Sequence, residues 1–113
     1  MPAPFSKVNV QHHFDRWDAL KEQIHTCYAE RNPEVRQLVK EGVILFRQLL
    51  QDGGQMKEGE QSIDKLMPLN GEERLQFIEA QRHHHHAFIQ LAALFEETEK
   101  KAARLTITER KRS

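Results

Sequence analysis

Residues 71–105, GEERLQFIEAQRHHHHAFIQLAALFEETEKKAARL, govern how the fold is read. After Gly71 this stretch has no Gly or Pro, the two residues that most strongly interrupt a helix. Asn70 stands ahead of it and Glu73 follows three residues later, the form of a capping box in which each side chain satisfies a first-turn amide. The pattern predicts one helix from about Gly71 to beyond Lys101. At ~1.5 Å per residue, ~30 residues span about 45 Å, long for a three-helix monomer of this size. The apolar residues lie on two neighbouring seams, with Leu75, Ile78, Ile89 and Ala92 on one and Phe77, Phe88, Leu91, Phe95, Ala102 and Leu105 on the other. One seam serves a monomer core, leaving the other for a partner or a second copy.

Two further helices are expected upstream. Val10, Phe14, Trp17, Leu20, Ile24 and Cys27/Tyr28 recur every three or four residues, an amphipathic stripe that Asn9 can cap and that runs to about Glu30. Asn32-Pro33-Glu34 then reads as a fresh start, with an N-cap, a first-turn proline and an acid favourable to the helix dipole. Val35, Leu38, Val39, Val43, Phe46, Leu49 and Leu50 form the second stripe, and Ile44 and Leu45 widen it. Gly53-Gly54 ends this helix, since glycine tolerates the left-handed conformation of a C-cap. GGQMKEGEQ (53–61) lacks periodicity and is expected to be a mobile loop, with one helical turn possible over Ser62–Met67. The domain reading is a flexible N-terminus over 1–8, a single helical domain over 9–105 and a flexible basic tail over 106–113.

The expected class is a small all-α domain of three main helices with a long C-terminal helix, assembling into a dimeric helical bundle. Composition supports it. Of 113 residues, 38% are apolar and 30% charged, with five Gly and four Pro, a helix-rich, well-solvated mix. Seventeen basic and seventeen acidic residues cancel, so no overall field draws the chain to nucleic acid or an anionic membrane. The lone Cys27 excludes an internal disulfide framework and suits a reducing compartment. No run nears the roughly 20 apolar residues of a membrane span, and MPAPFSKVNV lacks a signal-peptide core. A cytoplasmic location without membrane contact is expected.

Chemistry is sparse. The run His83-His84-His85-His86 turns by about 100° per residue on a helix, so the four rings point round the axis and do not converge on one ion. His83 and His86 share a face at i, i+3, enough for a two-point contact. His12, His13 and His25 can complete a site only through tertiary packing. Interfacial or partly buried histidines are the preferred reading, with a pH-sensitive contact as a variant of it, and no metal or cofactor is expected. Glu72-Glu73 and Glu96-Glu97 are explained by capping and ordinary charge pairing. No GxSxG, P-loop, HExxH or CxxC occurs, and Cys27 has His25 nearby but no third group, so an enzyme is not expected. Trp17 is read as core, and Arg110-Lys111-Arg112 as a solvated terminus.

Phe77-Ile78-Glu79-Ala80, followed by His85 and by Leu91 and Leu94 at helical spacing, resembles the second long helix of quorum-sensing antiactivators of the QslA/TraM type. Val35 to Leu50 resembles the first long helix of that family, again ending in a loop, whereas the helix from Val10 to Tyr28 departs from the shorter members. The resemblance implies a homodimer that binds the ligand-binding domain of a LuxR-type, LasR-like regulator and stops it dimerising and binding DNA. No direct nucleic-acid contact is implied. A fainter resemblance, on Phe14-Asp15-Arg16 and the histidine stretch, is to primosomal replication proteins of the PriC type, which are longer and more basic. A His-rich metal-binding bundle is the third reading. The expected partner or dimer surface is Val39, Val43, Phe46 and Leu50 on the second helix with Phe77, His84, Phe88, Leu91 and Phe95 on the third.

Overall fold

The computed structural model describes residues 10–58 and 61–112. In chain order these form α1 (Gln11–Ala29), α2 (Val35–Asp52), β1 (Gln55–Glu58), β2 (Gln61–Asp64), α3 (Gly71–Ala80) and α4 (His85–Arg112). The all-α class holds, with one small hairpin added. The expected flexible start over 1–8 and the Asn9 cap lie outside the described residues, and α1 enters at Val10 without a side-chain cap. The expected basic tail is helical in its backbone as far as Arg112.

The first two helices follow the apolar stripes closely. Val10, Phe14, Trp17 and Ile24 of the first stripe are buried, as are Val35, Val39, Val43, Leu45, Phe46, Leu49 and Leu50 of the second. The connection between them is tight. Asn32 N–H reaches the Cys27 carbonyl and Arg31 N–H that of Tyr28, the paired bonds of a Schellman ending. Arg31 holds the left-handed position at φ 56°, where glycine is the less strained residue. Asn32 Oδ1 then accepts from Glu34 N–H at 3.0 Å in a turn just ahead of α2, whose own N-cap is Glu34, without a side-chain cap bond, so the expected start at Asn32-Pro33 shifts by two residues. Gly54 takes φ +80° just beyond α2, the expected left-handed stop.

Two expectations are corrected. The stretch GGQMKEGEQ is not a simple loop, and Ser62–Met67 is not a helical turn. Gln55–Glu58 pairs antiparallel with Gln61–Asp64, Met56 facing Ile63 and Lys57 facing Ser62. A short ladder is closed by backbone groups and needs no side-chain alternation to form, so its signal was absent from the apolar pattern. The Asn70 capping box is also missing: Asn70 is left-handed at φ 56° and makes no side-chain cap bond.

The largest correction concerns the third helix, which is two helices. The chain leaves helical geometry at Gln81 (φ −120°, ψ 32°), turns over residues 81–84 and restarts at His85. α3 folds back antiparallel on α4. Arg74 grips Glu97 with two guanidinium nitrogens at 3.1 and 2.6 Å, and Lys101 Nζ donates to the Met67 carbonyl at 3.0 Å. Straight continuation would leave Leu75 and Ile78 without a partner, whereas the turn brings both to zero exposure. At about 25 cal/mol per Å² of apolar area, that burial outweighs the few helical bonds lost. Histidine, a middling helix former, puts little propensity in the way.

The result is an up-down-up-down arrangement. α1 runs antiparallel to α2 and α4, and the core lies where Trp17, Phe46 and Phe95 meet. Trp17 stacks flat on Phe95 with centroids 4.2 Å apart and 3° between planes, and Phe46 meets Phe95 edge-on at 5.0 Å. Gly42 lets this happen, since a Cβ there would fall 2.7 Å from Leu91 and 3.2 Å from the Trp17 ring. The 28-residue α4 spans about 42 Å and stretches the molecule to 50 × 28 × 17 Å.

Candidate functional site

A groove of about 710 Å³ lies between α1 and α4. Its floor is the apolar seam of the two helices, with Phe14, Trp17, Phe88 and Phe95 below and Ile89, Ala92 and Ala93 along the α4 side. Asp18, Lys21, Glu22 and His25 form the α1 rim, and Glu96 and Glu99 form the α4 rim. Four carboxylates thus face one lysine, although Glu96 also pairs with Lys100 at 3.2 Å. Spacing explains the layout: positions 14, 17 and 88, 95 aim inward, and the residues one helical step away reach the edges. The four aromatics are at most 6% exposed, while Ile89 is 50% exposed, so the groove offers ring edges and one open aliphatic side chain. Among the described residues that line it there is no Ser, Thr or Cys to serve as a nucleophile.

At the end of this groove lies the histidine turn. All four residues of His83–His86 are exposed, so of the expected interfacial or partly buried placement the buried form does not hold. His86 meets Phe77 edge-on at 5.5 Å, His85 lies against Tyr28 at 4.9 Å and Phe88 at 5.8 Å, and His83 and His84 lie against each other at 4.0 Å. The i, i+3 pairing of His83 with His86 is lost, because His83 sits in the turn and His86 in α4. Tyr28 ties the turn to α1 by donating its hydroxyl to the His84 carbonyl at 2.9 Å, and burial pushes that phenol above its usual range. Reduced hydration, then the charges of His84 and Arg36, hold His83 below the usual imidazole range.

Most of the expected contact surface is the chain's own core. Val39, Val43, Phe46, Leu50, Phe88, Leu91 and Phe95 are at most 6% exposed, while Phe77 is 42% exposed and His84 is open to solvent. The surplus of apolar surface inferred from two seams on one helix is therefore consumed inside the chain: Phe88, Leu91 and Phe95 pack on α1 and α2, and the fold-back of α3 buries Leu75 and Ile78. What remains open among the described residues is Ile44, Leu69, Phe77, Ile89 and Ile107. The groove rim was missed because charged residues on a helix ordinarily read as solvated, and only the α1–α4 packing sets the two rows opposite each other.

A second cluster lies at the other end of α1. His12, His13 and Asp52 bring one donor atom each to within 4.8 Å of the others. His13 is buried at 3% exposure, and its Nε2–H donates to Asp52 Oδ2 at 2.6 Å. Two further charge ties are structural: Arg47 links α2 to Glu72 and Glu79 of α3, and Arg74 holds the Glu97 carboxyl below its usual range chiefly by hydrogen bonding.

Among the described residues, no helix is long and apolar enough to cross a membrane. No curated protein and no solved structure matches the chain. A family model, that of the YpoC-like proteins, matches residues 7–110. Since that match takes in all four helices and the hairpin, the chain belongs to the YpoC-like protein family.

Proposed function

We propose that this protein acts by binding and carries out no reaction, and that its docking surface is the groove between α1 and α4. The observation that supports this reading is an apolar floor of Trp17, Phe88 and Phe95 set between rims on which Asp18, Glu22, Glu96 and Glu99 outnumber Lys21. An amphipathic helix with basic flanks is the complementary partner: its apolar face meets Ile89 and the ring edges, and its lysines or arginines meet the rims. The lone Cys27 suits work in the reducing cytoplasm.

The resemblance of residues 35–50 and 77–94 to QslA/TraM-type antiactivators gives the proposal its most specific form. In that form the partner is the ligand-binding domain of a LuxR-type regulator, and a homodimer of this chain prevents the regulator from dimerising and binding its operator. Support for the target is the residue pattern alone, which here runs across the turn at 81–84 and not along one helix, and the family description names no target.

Titration of the purified chain with such a ligand-binding domain tests the specific form, and photo-crosslinking from position 89 in the native cell tests the general one. A single crosslinked protein, lost when Glu22 and Glu96 are both changed to Lys, is the expected result. If crosslinks are absent or survive that charge reversal, the groove is not the docking surface. Should the chain shift forked DNA and ignore the regulator, the primosomal reading takes the place of the antiactivator one.

A further inference from the structure

We propose that His12, His13 and Asp52 form a binding site for a divalent transition-metal ion of the zinc type, which clamps the first turn of α1 to the last turn of α2. Two imidazoles and a carboxylate are the donor set that such ions accept, and their donor atoms already lie within 4.8 Å of one another. Tetrahedral coordination at ~2.0–2.1 Å per bond places ligand atoms about 3.4 Å apart. The adjustment needed is small: His12 and Asp52 are exposed, and the 2.6 Å contact between His13 Nε2 and Asp52 Oδ2 opens as the ion enters. Solvent then fills the remaining position or positions.

A second observation separates this cluster from an ordinary surface pairing. His13 sits at 3% exposure in the stripe formed by Val10, Phe14 and Trp17, where an apolar residue would avoid the cost of burying a ring nitrogen. Its Nδ1 has no hydrogen-bond partner. The ring of the adjacent His12 lies over it with centroids 4.0 Å apart, although neighbouring positions on a helix ordinarily diverge by about 100°. Electrostatics also points to a cation. Asp52 is the last residue of α2, the end at which the helix dipole disfavours a carboxylate and favours positive charge. The first turn of α1 disfavours a cation in turn, but its partial charge of about one half is smaller than the full charge on Asp52.

Proton balance sets the strength. With Nε2 bound to the metal, the proton it carried moves through solvent to Nδ1, so the ring stays neutral. That leaves a buried Nδ1–H without an acceptor, which lowers affinity. A dissociation constant on the order of micromolar is therefore expected.

The test is zinc titration by calorimetry of the full chain, purified without a histidine tag, with thermal unfolding as a second readout. The parent should bind one equivalent and unfold at a higher temperature when loaded. His12→Ala and Asp52→Asn should each weaken that equivalent at least tenfold and abolish the thermal shift, while changing all four residues of His83–His86 to Gln should leave both in place. His12 is exposed, so its variant reports on binding without threatening the fold. The proposal is overturned if the parent takes up no zinc, if His12→Ala binds as the parent does, or if uptake disappears with the 83–86 run.

Discussion

Two groups of histidines sit at opposite ends of α1, and they behave in opposite ways. The run His83–His86 draws attention in the sequence, yet its residues are exposed and its rings spread over three places: His83 and His84 against each other, His85 on Tyr28 and His86 on Phe77. The unremarkable pair His12-His13 converges instead on a carboxylate from a residue 39 positions away from His13. Consecutive residues on one element are spread by its geometry, so clustering in sequence is a poor guide to clustering in space. Convergence needs a second element, and the antiparallel packing of α1 on α2 supplies it.

The contrast can be broken at its base by removing what aligns the two ends. Trp17 lies between them and stacks on Phe95. Trp17→Ala should cost about 3–5 kcal/mol by leaving a large cavity, measured by chemical denaturation. A loss under about 1 kcal/mol would mean that the α1–α4 seam does not carry the fold.

The remaining changes probe one end at a time. Asp52→Ala leaves the buried Nε2–H of His13 unpaired and should cost about 1–3 kcal/mol. Tyr28→Phe removes only the hydroxyl bond to His84 and should cost about 0.5–1.5 kcal/mol, with faster amide exchange across residues 81–87 as its local mark. Glu97 sharpens the picture through pH. Its folded pKa is lowered by Arg74, so its contribution is present above the unfolded carboxyl value of about 4.3 and disappears as pH falls through the folded one. Glu97→Gln should flatten the acid limb of the stability curve, by a small amount because the pair is half exposed. Smallest of all, changing one histidine of the 83–86 run to Gln should stay within about 0.5 kcal/mol; a larger loss would show that these rings are packed after all.

Much of this was legible beforehand, but unevenly. The stripes of α1 and α2 name nearly every buried residue of those helices, because amphipathic periodicity and burial are the same fact read twice. The caps were mixed. Asn32 bonds the Glu34 amide two residues before the N-cap that α2 uses, while Asn70 turns left-handed and makes no cap. The contact residues taken from α2 and α4 were correctly seen as apolar and wrongly left open, since nothing in their spacing reveals that α1, α2 and α4 pack these faces on one another. The groove escaped notice for a related reason. Its rims, Asp18 and Glu22 on one side and Glu96 and Glu99 on the other, are unremarkable solvated positions until two helices are laid side by side.

The sequence by itself determined that the chain is helical, where its first two helices lie and which of their faces are buried, because these depend on residues three or four apart that local geometry already brings together. The fold-back at residues 81–84, the groove and the His12–His13–Asp52 cluster were decided only by tertiary structure. Each depends on groups far apart in the chain, and the burial that stabilises them exists only after the helices have packed.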